Sequence, residues 1–264
     1  MAMVRTCDGS ERAVLVVLHA LDDDAKVALD RGWGAAASVG WRLRVVLSVP
    51  VGCRLAEREA ALEAWCSMSL PAALREDGRE VREGELSAAA AESASRCVPA
   101  LMVVPARPEA GRVAEHLVGM LRVPVLVARP ARRGAVVGAV DLDHPELPVL
   151  RQIAAFTGPV HGSAVLVRSV EDDAAPALET RIGALRAATQ WLLPDAQLIV
   201  TARPSRVNGI LEVARRLDSD LIVVAEQRGA AEPNGELVAR ARRSVLIIPA
   251  CWSQPATGTP SPSA

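Results

Sequence analysis

Apolar and polar positions along this chain alternate in two registers. Short apolar runs bounded by turn-forming residues read as buried strands, and the stretches between them carry apolar residues at helical spacing. Strands are predicted near 13–18, 42–49, 80–84, 100–105 and 124–128, with helices at about 22–38, 55–75, 86–97 and 111–121 between them. The remainder predicts strands near 135–140, 162–169, 196–202, 220–225 and 244–249, and helices at about 145–156, 175–193, 206–217 and 234–242. Val113, Leu117, Met120 and Leu121 form one apolar stripe, Leu178, Ile182, Leu185 and Thr189 a second, and Val207, Ile210, Leu211 and Ala214 a third. Continuous apolar strands alternating with amphipathic helices are the pattern of a doubly wound parallel sheet.

The pattern is written twice. REVREGELSAAAAESASRCVPALMVVP runs strand, helix, strand, and IVTARPSRVNGILEVARRLDSDLIVVA repeats the plan about 120 positions later. Val81 to Val104 spans 23 positions, as does Thr201 to Val224, and Pro105 to Pro124 spans 19, as does Ala225 to Ser244. The unit is too long for a solenoid repeat and suits an independent fold. Two α/β domains are therefore expected, at 12–130 and 134–250. Between them ARPARRG (128–134) reads as a short solvated connector, and after Pro249 the segment 251–264, rich in Pro, Ser and Thr, reads as a disordered tail.

Composition narrows the function classes. With one Phe, no Tyr and five Trp, the cores are built of Ala, Val, Leu and Ile, and a net charge of −1 offers no whole-chain field for nucleic acid or an anionic membrane. The cysteines, Cys7, Cys53, Cys66, Cys97 and Cys251, are scattered, with no CxxC pair for zinc or redox chemistry. The apolar run near the N-terminus is too short, and too acidic where it closes at Asp22, Asp23 and Asp24, for a signal peptide or membrane span, so a cytoplasmic location is expected.

The strand-turn-helix VREGELSAAAAESASRC leading into ALMVV, the helix and acidic turn of ARPSRVNGILEVARRLDSDLIVVAEQRG, and the closing SVLIIPA together resemble the universal stress protein family, over both halves. The resemblance implies a tandem member: two doubly wound parallel five-stranded sheets of strand order 3-2-1-4-5, paired as an internal pseudo-dimer. Members that bind ATP carry an Asp at the end of the first strand and a loop G-x-x-G-x9-G-[S/T] after the fourth. There, glycines let backbone N–H groups approach phosphate and a helix N-terminus adds its positive end.

This chain departs from that pattern. In the first half His19 stands at the Asp position, and the loop PARPEAGRVAEHLVG opens on Pro105, which has no N–H to donate. In the second half Asp141 is retained, but Ala225 and Arg228 replace the first two glycines, and both loops are shorter than the family motif. Glu109, Glu226 and Glu232 add negative charge beside the expected phosphate position, which opposes an anion. What remains as a candidate cofactor site is Asp141 with Arg228, Gly229, Asn234 and Gly235; the plainer role of Asn234 and Gly235 is a turn and a helix N-cap.

Other constellations read as structural. Asp22, Asp23 and Asp24 suit a helix start, and Asp141, Asp143, His144 and Glu146 surround Pro145 at a helix entry, so no metal is expected. His116 and His161 lack partners at useful spacing, Ser87, Ser163 and Ser244 lie in no nucleophile elbow, and neither HALDDD nor DLDHPE supplies the glycine-rich loop of an ATP-using enzyme of the wider adenine α-hydrolase-like superfamily. The expectation is a non-enzymatic universal-stress-type protein in stress response or regulation, acting through an unidentified protein partner, with a homo-oligomer also open. It uses no cofactor, having lost ATP binding in domain 1 and weakened or lost it in domain 2. The alternative is an ATP- or AMP-binding regulator using the domain 2 site.

Overall fold

The computed structural model describes residues 12–70, 78–140, 147–156, 164–170, 175–202, 205–226 and 234–250. In the first half the elements are β1 (Arg12–Leu18), α1 (Asp23–Val39), β2 (Arg42–Val49), α2 (Leu55–Ser69), β3 (Arg79–Glu83), α3 (Leu86–Ala94), β4 (Val98–Pro105), α4 (Ala110–Leu121) and β5 (Val125–Ala128). The second half follows with β6 (Val136–Ala139), α5 (Leu147–Phe156), β7 (Ala164–Val170), α6 (Ala175–Thr189), β8 (Gln197–Ala202), α7 (Arg206–Arg216), β9 (Leu221–Ala225), α8 (Asn234–Arg240) and β10 (Ser244–Ile248).

The strands lie in the order β3-β2-β1-β4-β5-β10-β9-β6-β7-β8. Each run of five has the expected order 3-2-1-4-5 with parallel pairing throughout. Where the sequence predicts two sheets, β5 and β10 pair antiparallel, through Val127–Val245, Leu126–Leu246 and Val125–Ile247, and join the two fives into one ten-stranded sheet. The physical reason is that a fifth strand left as an edge would expose a row of unpaired backbone groups; here each covers the other. The register also repeats. Val103 faces Leu126 as Val223 faces Leu246, and Val104 faces Val127 as Val224 faces Ile247.

Helices cover both faces, because the strands are apolar on both. Along β1, Val14, Val16 and Leu18 turn toward α1, α2, α5 and α6, while Leu15 and Val17 turn toward α3, α4, α7 and α8. Glycines set the closest approaches: a Cβ on Gly32 of α1 would run into the Val16 side chain, and one on Gly111 of α4 would sit 2.6 Å from the carbonyl oxygen of Gly235 in α8. α1 starts where the triple aspartate predicts, with the Asp22 carboxylate accepting from the Ala25 N–H at 3.0 Å, and ends on Gly40 in the left-handed conformation (φ 71°). No described helix is long and apolar enough to cross a membrane.

The two halves are also tied by a nearly buried ion pair. Arg31 of α1 holds Asp220, at the entry of β9, with both guanidinium arms (Nη1–Oδ2 2.7 Å, Nη2–Oδ1 2.5 Å) and donates its Nε–H to the Arg129 carbonyl at 3.0 Å. The same carboxylate accepts from the Arg132 N–H at 2.6 Å, and the Asp220 N–H reaches the Ala135 carbonyl at 3.0 Å. One aspartate thus fastens α1, the connector and the starts of β6 and β9.

Candidate functional site

In an open doubly wound sheet a ligand sits outside the carboxyl ends of the strands at the point where the winding reverses. That point falls between β1 and β4 in the first half and between β6 and β9 in the second.

At the first rim, β1 delivers His19, the turn into α1 delivers Asp22 and Asp24, and the loop after β4 delivers Arg107 and Glu109. Pro105, expected to open this loop, is the last residue of β4, opposite Ala128. Arg107 reaches back across the rim: its Nη2 bonds Asp22 Oδ2, and its Nε lies 3.5 Å from Asp24 Oδ2. Burial pushes the Asp22 carboxyl up, but the Ala25 N–H, Arg107 and the nearby His19 outweigh it and hold the group below its ordinary 3.8. The same bond to Asp22 raises Arg107. The cation of this loop is already matched by the chain's own carboxylates, which also take up the positive end of α1.

At the second rim, Asp141, Arg228 and Gly229 lie outside the described residues, as do Glu232 and the segment Asp143 to Glu146. The two remaining candidates, Asn234 and Gly235, are the first two residues of α8. Asn234 is buried. Its Nδ2 donates to the Ala225 carbonyl at 2.7 Å and its Oδ1 accepts from Arg206 Nη1 at 3.4 Å, so its amide latches the start of the helix to the end of β9. The Gly235 N–H donates at 2.7 Å to Glu115 Oε1, a carboxylate from α4 of the first half. Glu226, at the end of β9, points to Arg122 (3.1 Å) and accepts from the Ala250 N–H at 3.3 Å.

Glu115, Arg107 and the Arg31–Asp220 pair are the residues that sequence reasoning missed. The Asp22–Asp24 run carried half of the signal for Arg107; Glu115 carried none, since its partner is 120 positions away. Among the described residues no group of three His, Cys, Asp or Glu side chains is arranged to hold a metal ion.

Neither a family model nor a curated protein matches the chain by sequence. Solved structures do match by fold. A universal stress protein from Archaeoglobus fulgidus DSM 4304 superposes with a TM-score of 0.64 at 12% identity, over 89% of this chain and 96% of that one. A putative universal stress protein from Pseudomonas aeruginosa UCBPP-PA14 gives 0.63 at 16% identity, over 91% and 94%. A functionally unknown protein from Pseudomonas aeruginosa PAO1 gives 0.60 at 16% identity, over 91% and 93%. At such identities the likeness speaks for architecture, and it extends over nearly the full length of each chain. The arrangement of strands, helices and rims built up above is the universal stress protein fold.

Proposed function

We propose that this chain is a non-enzymatic regulatory protein of the universal stress type, built of two copies of one domain (12–130 and 134–250), acting in the cytoplasm through protein contacts and without a bound nucleotide. The observation that carries this reading is the Glu115 carboxylate on the Gly235 N–H at 2.7 Å. In the resemblance, the helix after the fourth strand turns its backbone N–H groups to phosphate; here an internal carboxylate takes one of them, and its negative charge opposes an anion. The Arg107 pairing with Asp22 and Asp24 supports the same reading at the other rim. Thiols at Cys53, Cys66 and Cys97, none in a disulfide, fit a reducing compartment.

The test is a melting curve with and without millimolar Mg-ATP. A ligand that does not bind the native state leaves its unfolding equilibrium unchanged, whereas one present at 100 times its dissociation constant adds about 2.7 kcal/mol. The expected result is no shift. An ATP-dependent rise in melting temperature that Asp141→Ala or Arg228→Glu removes would replace this reading with the nucleotide-binding one.

A further inference from the structure

We propose that an arginine patch on the second half is a docking surface for an acidic, carboxylate-rich segment of a partner protein. The proposal deepens the protein-contact reading above and rests on it. Four segments build the patch: the connector (Arg132, Arg133), the last turn of α7 (Arg215, Arg216), the turn at Asp218, and the turn between α8 and β10 (Arg242, Arg243). They meet at one aspartate. Asp218 Oδ1 lies 2.5 Å from Arg243 Nη2 and 3.5 Å from Arg132 Nη1, and the Asp218 N–H donates to the Arg215 carbonyl at 3.2 Å. Arg243 Nη1 reaches the Arg242 carbonyl at 3.3 Å, and a Cβ on Gly134 would collide with the Asp218 carbonyl, so the connector lies directly against this turn.

Six arginines against one aspartate give the patch a formal charge of +5 on a chain whose net charge is −1. Arg133, Arg215, Arg216 and Arg242 are exposed and form no ion pair among the described residues. The helix dipole accounts for two of them, because cations at Arg215 and Arg216 complement the carbonyl end of α7. It does not account for Arg133 and Arg242, which arrive from other segments. Nor is the connector merely solvated, as its composition suggests, since Arg132 is ordered on Asp218 and on Asp220.

The chemistry selects the occupant. Guanidinium groups match carboxylates with paired, charge-assisted hydrogen bonds, and Asp218 between Arg132 and Arg243 already shows a carboxylate seated here. No aromatic residue lies in the four segments to stack a base, so single-stranded nucleic acid is disfavoured. A membrane surface needs apolar residues to insert, and none of the exposed large apolar side chains, from Val39 to Trp191, belongs to these segments.

The experiment measures fluorescence anisotropy of a labelled oligoglutamate peptide of about ten residues titrated with the full chain at low and at physiological salt, where exposed ion pairs are screened within roughly 10 Å. The peptide should bind at low salt, weaken with added salt, and lose about tenfold or more in affinity in Arg215→Glu/Arg216→Glu and again in Arg133→Glu/Arg242→Glu. These side chains are exposed and hold no ion-pair partner among the described residues, and unchanged circular dichroism and melting would certify the variants as folded. Arg54→Glu/Arg58→Glu on α2 should leave binding intact. No binding of the peptide, equal loss in the α2 control, or tighter patch-dependent binding of an oligothymidylate or of anionic vesicles would overturn the proposal. Melting with Mg-ATP, run beside it with Asp141→Ala, reports separately on the reading of the rims: a silent ATP result with no peptide binding sinks the patch alone.

Discussion

Asp220→Ala is expected to be among the most damaging single changes in the seam between the halves. The side chain is 5% exposed and accepts from both arms of Arg31, itself 15% exposed, and from the Arg132 N–H. Alanine leaves a nearly buried guanidinium without its counter-charge and a backbone donor without its acceptor. Removing one partner of a buried pair costs about 3–5 kcal/mol, whereas replacing both by apolar groups is often close to neutral. At about 2–4 °C per kcal/mol for a chain approaching this length, the melting temperature should fall by about 6–20 °C. Differential scanning calorimetry reads this directly, and it also shows whether one transition divides into two as the halves come apart, so that two-state bookkeeping stops applying. Arg31→Met/Asp220→Leu should recover much of the loss, with a coupling energy within about 0.5–3 kcal/mol. A fall below about 2 °C, or a double variant that loses the sum of the two singles, would refute the reasoning.

Two further outcomes are expected. Gly111→Ala should destabilise the chain by about 1–3 kcal/mol in urea unfolding, since its Cβ would lie 2.6 Å from the Gly235 oxygen and 2.9 Å from the Gly235 Cα, and backbone cannot rotate aside; a neutral result would mean that α4 and α8 do not approach so closely. The Asp22 carboxyl is held below its ordinary 3.8 in the fold. Its contribution is therefore fully present above that value and lost as pH falls through the lower folded one, so Asp22→Asn should melt below the unmodified protein at pH 7 and converge with it toward about pH 2. A gap that persists unchanged in acid would contradict the assignment.

Much of the fold was legible because burial leaves a local trace. The ten apolar runs became ten strands, and the recurring spacing between Val81 and Val104 and between Thr201 and Val224 reappears as matching register. Even one missed boundary had its signal. α2 was expected to run to 75 but ends at Ser69, because Leu70 precedes Pro71 and takes an extended conformation (φ −110°, ψ 148°). Leu211 shows the limit of a stripe: it is half-buried at the margin of α7, while Val213, outside the expected set, is buried. The rims were less legible. The glycine replacements are visible in the sequence, but what fills the second rim is not, because Glu115 and Gly235 meet only through the joining of β5 to β10; the Arg31–Asp220 pair at the opposite end of the strands is hidden in the same way, since no periodicity reports a contact between residues 120 or 189 positions apart.

That joining strand pair has one more consequence. Leu126 faces Leu246, which stands 120 positions further along, so at the centre of the seam this one position meets its own counterpart, while Val125 and Val127 meet each other's counterparts. Glu115 and Gly235 are separated by the same 120 positions, and they too touch. Two identical chains related by a twofold axis would be confined there to like against like, a carboxylate facing a carboxylate or a glycine facing a glycine. A single chain carrying both copies escapes that restriction: one position can keep the acid while its counterpart keeps the bare backbone that receives it. Covalent linkage thus lets a twofold-like interface become a donor and an acceptor, and the two sides are then free to diverge into different roles.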